Sequence, residues 1–311
     1  MTDVSEFSDV LEPLQRIGLV VSLPPDPAVL RERIGEFDAY LAALTVRADR
    51  AVLERAARLR VIATPTTGLD HLDLDVMKSR GIHLISVRED RELLDRVTST
   101  AEMAWALLLA VVRRLPWAFD AARRGDWARE RFRGHQLSGK TLGILGYGRL
   151  GTMVAEYGKV FRMLVLACDV RPVELAPGVE RVDFERLLAE SDVLSIHIHL
   201  SEENRKLIDA AALAKMKPGA VLINTSRGAI IDEDALAASL ASGRLAGAGL
   251  DVIEGEWRKD LIDHPLIRHA ATHQNLVISP HVGGATVEAQ RMVLAHTVEK
   301  LARYLQGLEE G

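Results

Sequence analysis

The sequence has little cysteine, no long apolar run and no excess of positive charge, and each shortage excludes a class of protein. Cys168 is the only cysteine, so the chain can form neither an internal disulfide nor a metal site built from several thiolates. The longest apolar run, residues 103–112, is too short to cross a bilayer, and we expect no membrane insertion. The net charge of −5 gives no basic surface for nucleic acid. The acidic start lacks the basic and apolar parts of a signal peptide, which predicts a cytoplasmic protein.

The chain of 311 residues is long enough for two domains. Short β-prone runs alternate with helical segments, which predicts an α/β fold with parallel, doubly wound sheets. The predicted strands are residues 17–21, 39–44, 60–63, 81–87, 141–145, 164–168, 193–197, 220–224, 247–252 and 276–279. The predicted helices are residues 27–34, 49–57, 72–80, 100–124 with a break near Pro116, 146–161, 183–190, 209–216, 232–242 and 286–306. Apolar residues in the segment 1–15 show no clear helical or strand spacing, and residues 253–275 are predicted to form a loop.

A glycine-rich turn follows the predicted strand at residues 141–145 and opens a helix. It consists of Gly146, Tyr147, Gly148, Arg149, Leu150 and Gly151. Such a turn lets the backbone approach a diphosphate, which the N-terminal end of the helix dipole stabilises. Asp169, 18 residues after Gly151, can accept hydrogen bonds from an adenosine ribose, whereas a 2′-phosphate there would meet a like charge. The pattern therefore predicts NAD rather than NADP, although Arg171 nearby argues slightly the other way.

Four further motifs occur along the chain: TSTAEMAWALLLAVVRRL, INTSRGAIIDEDAL, AGAGLDVIEGE and SPHVGGAT. Together with the glycine-rich turn, they resemble the NAD-dependent D-2-hydroxyacid dehydrogenases, the family that includes D-3-phosphoglycerate dehydrogenase. The resemblance implies a Rossmann NAD-binding domain, residues 98–280, inserted into a flavodoxin-like substrate domain of residues 1–97 and 281–311, with catalysis in the cleft. It also implies a homodimer formed through residues 100–134, and a short form without the regulatory domain of longer phosphoglycerate dehydrogenases.

By the same resemblance, Arg227 binds the substrate, His281 is the catalytic histidine and Glu256 is its paired acid. The chemistry gives independent reasons, because hydride transfer to a 2-oxo acid needs a proton donor with a pKa near neutrality and a cation for the carboxylate. Each residue also has a purely structural interpretation. Arg227 could simply end a strand, His281 could be a loop histidine, and Glu256 could be a solvated surface acid. Glu254 is a rival for the acid, and Trp257 replaces the proline that usually follows it in the family.

The resemblance implies further cofactor and substrate contacts. The additional cofactor residues are His197, Thr225, Asp251 and Gly283. The substrate residues, besides Arg227, are Arg47, Thr66, Thr67, Gly68 and Arg96. These arginines favour a small anionic 2-hydroxy or 2-oxo acid. Several positions depart from the phosphoglycerate enzymes, since Ala48 replaces a serine and His71 an asparagine, so 3-phosphoglycerate itself stays open as the substrate.

Two other functions fit parts of the pattern. The family also includes NAD(H)-sensing corepressors, which keep the fold and cofactor site without turnover; the retained Arg227, Glu256 and His281 argue against this alternative. Formate dehydrogenases pair the histidine with glutamine, and Glu256 argues against them. No spacing of cysteine, histidine or acidic residues predicts a metal site.

Overall fold

The computed structural model describes residues 4–258 and 260–307. Its strands are β1 (Ala39–Leu41), β2 (Val61–Thr64), β3 (His83–Ser86), β4 (Thr141–Leu145), β5 (Leu164–Cys168), β6 (Val179–Arg181), β7 (Val193–Ile196), β8 (Val221–Asn224), β9 (Gly247–Leu250) and β10 (Leu276–Ile278). Its α-helices are α1 (Glu12–Gln15), α2 (Pro27–Arg33), α3 (Arg50–Leu53), α4 (Leu74–Ser79), α5 (Arg91–Leu94), α6 (Ser99–Val112), α7 (Leu115–Arg123), α8 (Arg149–Val160), α9 (Phe184–Glu190), α10 (Ala210–Lys215), α11 (Glu233–Ala241), α12 (Pro265–Thr272) and α13 (Val287–Leu305). Short 3-10 segments lie at Val4–Leu11, Ile34–Glu36, Arg129–Phe132, Glu202–Asn204, Gly228–Ile230 and Leu261–Asp263.

The chain divides into two compact units. One holds Met1–Val97 and Thr286–Gly311, and the other holds Thr98–Ala285. The predicted boundary is residue 281, whereas His281 lies within the second unit. Both units have parallel sheets, so the predicted α/β class is confirmed.

The first unit is built on the parallel sheet β1-β2-β3, which has helices on both faces. Side chains of β2 alternate between two cores: Val61 and Ala63 face α1 and α13, whereas Ile62 faces the core that includes α2, α3 and α4. The C-terminal helix α13 thus supplies one face of a sheet formed by the N-terminal part of the chain. Thr286 caps α13 by accepting a hydrogen bond from the Ala289 N–H.

The second unit is built on a seven-stranded parallel sheet with the order β10-β9-β8-β7-β4-β5-β6. Leu142 and Ile144 of β4 lie in one core, and Leu145 lies in the core on the opposite face. The strand order reverses at β4, which pairs with both β5 and β7. Ligands of open α/β sheets bind beyond the carboxyl ends of the strands at such a reversal, so the fold itself indicates where to look for a site.

Several elements of the structure differ from the sequence predictions. Residues 17–21 form no strand. The segment begins with a turn, in which the Ile17 and Gly18 N–H groups both donate to the Leu14 carbonyl. The predicted loop at residues 253–275 contains α12, and the edge strand β6 was not predicted. The predicted helix at residues 49–57 is shorter, spanning only Arg50–Leu53. The predicted break near Pro116 is confirmed: Arg114 is left-handed, with φ 53°, and Pro116 lies in the first turn of α7.

Candidate active site

The glycine-rich turn joins β4 to α8 at the point where the strand order reverses. Gly146 has φ 93°, a conformation that favours glycine, and a Cβ there would lie 2.8 Å from the His197 carbonyl oxygen. A Cβ on Gly151 would lie 2.1 Å from the Gly146 carbonyl oxygen. Gly148 is the N-cap of α8, and the one group that its Cβ would approach within 4 Å is the Arg171 guanidinium. The structure therefore leaves open space above the helix N-terminus, as diphosphate binding requires.

Asp169 follows β5 and its carboxylate is engaged on both oxygens. The Tyr147 N–H donates to Oδ2 at 2.9 Å, and the Arg171 guanidinium donates to both oxygens at 3.1 Å. Burial acts to raise the pKa of Asp169, but the hydrogen bonds from Arg171 and Tyr147 outweigh it, and the pKa is lowered. Asp169 is therefore a carboxylate at neutral pH beside the glycine-rich turn, and it pairs with the exposed Arg171.

Two polar atoms at the same edge of the sheet are buried without a described hydrogen-bond partner. They are Thr225 Oγ1, directly after β8, and His197 Nδ1, directly after β7. The other ring nitrogen of His197 lies 2.8 Å from Ser195 Oγ, and burial lowers the pKa of His197 to about 4. Buried polar atoms normally have partners, so these two fit a site that binds a polar ligand. Together with the space above Gly148, they fit a dinucleotide.

His281 and Glu256 form a close pair. Glu256 Oε1 lies 2.6 Å from His281 Nδ1, and the two side chains are 18% and 15% exposed. Trp257, which follows the acid, stacks on the imidazole with 5.9 Å between ring centroids and 21° between planes. The rival acid, Glu254, points elsewhere and pairs with Arg205 at 3.0 Å. The structure thus selects Glu256 as the partner of the histidine.

Asp251 organises the loop that carries His281. Its Oδ1 accepts hydrogen bonds from Ser279 Oγ at 2.6 Å and the Val282 N–H at 2.9 Å, and its Oδ2 accepts the Gly283 N–H at 2.7 Å. The backbone carbonyl of Asp251 accepts the His281 N–H, and His281 adopts φ 55°. This buried carboxylate therefore holds the 279–283 loop in shape, a role that sequence reasoning had not assigned to it.

Arg227 lies on the turn after β8. The Asn224 side chain stabilises this turn by donating a hydrogen bond to the Arg227 carbonyl at 2.9 Å. The next residue, Gly228, packs directly on the loop of residues 252–258, since a Cβ there would lie 2.2 Å from the Glu254 nitrogen. The turn with Arg227 and the loop with Glu256 are therefore in contact.

The predicted substrate residues of the first unit lie as follows. The Arg47 guanidinium donates to the Asp70 carbonyl at 3.2 Å, two residues after Gly68 in the sequence. The Thr66 hydroxyl donates to the Gly68 carbonyl at 2.9 Å, which stabilises the loop. Arg96 is exposed just beyond α5.

Sequence reasoning missed a second buried histidine–acid pair, which lies in the second unit. His264 Nε2 lies 2.9 Å from Glu233 Oε2, and the side chains are only 4% and 11% exposed. The available signal was the His264-Pro265 pair, which is typical of a helix start. No group of three histidine, cysteine or acidic side chains in the described part of the chain could hold a metal ion. Within residues 4–258 and 260–307, no helix has the length and apolar character to cross a membrane.

Comparisons with known proteins agree with this geometry. A family model described as the NAD-binding domain of D-isomer specific 2-hydroxyacid dehydrogenases matches residues 105–283. A glyoxylate reductase of Thermococcus litoralis is 38% identical over 295 residues, covering 91% of this chain and 85% of that protein. A D-3-phosphoglycerate dehydrogenase of Mycobacterium bovis is 36% identical over 286 residues, covering 91% of this chain and 52% of that protein. A crystal structure of D-lactate dehydrogenase from Aquifex aeolicus, complexed with NAD and lactic acid, has a TM-score of 0.83 and 28% identity, covering 98% of this chain and 93% of that one.

These relatives are named for different substrates, but each is named as a reductase or dehydrogenase of a 2-oxo or 2-hydroxy acid. The glycine-rich turn, the histidine–acid pair and the parallel sheet agree with that chemistry. The chain belongs to the D-isomer specific 2-hydroxyacid dehydrogenases and is an NAD-dependent oxidoreductase.

Proposed function

We propose that this enzyme interconverts a small anionic 2-oxo acid and the D-2-hydroxy acid, with His281 as the proton donor and acceptor. The observation that carries the assignment is the 2.6 Å contact between Glu256 Oε1 and His281 Nδ1. Because this contact occupies Nδ1, Nε2 is the ring nitrogen that faces the substrate oxygen. NAD(H), when bound, supplies or accepts the hydride at C2 of the acid.

In reduction, His281 gives its Nε2 proton to the substrate oxygen and becomes neutral; in oxidation it takes that proton back. Glu256 stabilises the protonated imidazole and fixes its orientation, because a carboxylate favours a nearby cation. Asp251 serves this step indirectly by holding the 279–283 loop. The Trp257 ring covers one face of the imidazole, and an aromatic face favours a cation.

We assign Arg227 to the substrate carboxylate, because a guanidinium binds a carboxylate through two parallel hydrogen bonds. The support is its place on the turn that contacts the 252–258 loop. Substrate roles for Arg47, residues 66–68 and Arg96 stay predictions. The cationic Arg47, which contacts the Asp70 carbonyl, favours an anionic substrate, and glyoxylate-like and phosphoglycerate-like acids are both candidates.

The cofactor roles are proposed for the residues at the reversal of strand order. The glycine-rich turn and the N-terminus of α8 would hold the diphosphate, and Asp169 the adenosine ribose. His197, Thr225, Asp251 and Gly283 would lie near the nicotinamide. The unpartnered Thr225 Oγ1 and His197 Nδ1 support the first two of these.

A homodimer is proposed as well. Large apolar side chains are exposed in the expected interface, residues 100–134, where Phe119 is 66% and Trp127 81% exposed. Apolar surface of this kind favours association. Light scattering at micromolar concentration tests it, and a monomeric mass would refute it. The cytoplasmic location stays a prediction.

The test of the proposed function is NADH consumption with a panel of 2-oxo acids, from glyoxylate and pyruvate to phosphohydroxypyruvate. We expect turnover with at least one member, and loss of most turnover in His281→Ala while NADH still binds. Equal loss of NADH binding and turnover would refute the role of His281. NADH binding without turnover on any acid would instead support a sensing protein.

A further inference from the structure

The buried pair of Glu233 and His264 takes no part in the mechanism above. Glu233 is the first residue of α11, and His264 directly precedes α12. Burying a charged group is costly unless hydrogen bonds compensate, so a buried pair of this kind calls for an explanation. Burial raises the pKa of Glu233 to about 7, and the charges of Glu254 and Asp234 act in the same direction. The hydrogen bond from the Glu254 N–H and the charge of Arg258 act against this rise.

The position of the proton on His264 follows from its contacts. The Leu266 N–H donates to His264 Nδ1 at 3.3 Å, so Nδ1 carries no proton. The ring proton is therefore on Nε2, which donates to Glu233 Oε2. Burial also lowers the pKa of His264, which favours this neutral form.

The second oxygen of Glu233 reaches the loop that carries the catalytic acid. The Glu254 N–H donates to Glu233 Oε1 at 2.8 Å. Glu254 lies two residues before Glu256, so hydrogen bonds run without interruption from α12 through His264 and Glu233 to this loop. Gly228 also contacts this loop, because its missing Cβ lets the Glu254 backbone approach the Arg227 turn.

Helix capping does not explain the pair. The N-terminus of α11 is capped by Asp232, whose side chain accepts the Ala235 N–H at 3.1 Å. Capping of α12 needs only His264 Nδ1. The bond between His264 Nε2 and Glu233, and the bond from Glu233 to the Glu254 backbone, therefore serve something other than the helix ends.

We propose that Glu233 and His264 are positioning residues that hold the 252–258 loop so that Glu256 meets His281 Nδ1. The inference rests on the proposed roles of Glu256 and His281 and adds two residues that touch neither substrate nor cofactor. It predicts that loosening this pair weakens catalysis only through Glu256.

The test is a double-mutant cycle on kcat. We expect Glu233→Ala to lower kcat about tenfold, the effect of one charge-assisted hydrogen bond, while the dissociation constant for NADH changes less than twofold. Glu233→Gln should lose less, because its amide oxygen still accepts one of the two N–H groups. Asp234→Asn is the matched control, since it removes an exposed charge from the same helix turn and should leave kcat unchanged.

In the Glu256→Gln background, Glu233→Ala should lower kcat no further. Equal losses in both backgrounds would overturn the inference, because they would show an effect independent of Glu256. The same holds if Glu233→Ala and Glu233→Gln keep full kcat while Glu256→Gln does not. If Glu233→Ala does not fold, Glu233→Gln takes its place in the double-mutant cycle. If Glu256→Gln alone keeps full activity, the proposed role of Glu256 fails and the positioning role falls with it. If His281→Ala also keeps full activity, the proposed function itself fails, which is a different outcome.

Discussion

Replacing Glu256 by glutamine isolates the charge of the acid that contacts the catalytic histidine. The shape and one hydrogen bond to His281 Nδ1 survive, but the negative charge opposite the imidazole is lost. The contact is short, at 2.6 Å, and both side chains are more than four-fifths buried, so solvent screens it only partly. A charge-assisted hydrogen bond contributes about 1.5–3 kcal/mol, which corresponds to a loss of about 10- to 150-fold in kcat/KM.

The assay is the initial rate of NADH consumption with whichever 2-oxo acid gives the highest turnover. Glu254→Gln is the matched control, because its carboxylate lies in the same loop but pairs with Arg205 near the surface. Exposed ion pairs contribute little, so the control should keep its rate within twofold. A rate within twofold for Glu256→Gln, or a larger loss for Glu254→Gln, would refute the assignment of the acid.

Three other perturbations test neighbouring parts of the site. Trp257→Leu should lower kcat about two- to fivefold while Trp257→Phe retains it, because an exposed aromatic face stabilises a cation by about 0.5–1 kcal/mol; equal rates would show that the stack on His281 is incidental. Arg171→Ala should lower the ratio of kcat/KM for NADPH to that for NADH, since Asp169 would lose its positive neighbour; an unchanged ratio would place Arg171 away from the 2′-position. The lowered pKa of His197 means that the native state binds fewer protons than the unfolded chain between pH 6.5 and about 4, so stability falls as the pH falls through that window. Urea unfolding should show that the free energy of unfolding of the wild type falls by about 2 kcal/mol more between pH 7 and pH 4.5 than that of His197→Gln. Equal falls in the two proteins would contradict this prediction.

The parts of the site that could be predicted from the sequence are those set by local geometry. The glycine-rich turn was predictable because strand, turn and helix are contiguous, and the turn requires a left-handed residue at Gly146. His281 and Glu256 were identified by their motifs, and the 2.6 Å contact agrees with that pairing. The choice between Glu256 and Glu254 needed the structure, because neighbouring loop residues can point in opposite directions.

The missed features depend on contacts between distant parts of the chain. Residues 17–21 have the β-branched composition of a strand, but a strand needs a partner for its backbone, and composition does not supply one. Helix α12 spans only Pro265–Thr272, and about two helical turns give too few residues for a periodic pattern to be recognised within a polar stretch. The pairing of Glu233 with His264 joins two helix ends that are remote in sequence, and no local pattern encodes it.

The left-handed backbone of His281 has a consequence for engineering. A non-glycine residue at φ 55° costs about 1–3 kcal/mol relative to a relaxed backbone, and glycine would avoid most of that cost. The histidine therefore occupies a position where selection for heat resistance alone would replace it. Screens of this enzyme for higher melting temperature should accumulate glycine or asparagine at position 281 unless turnover is selected at the same time.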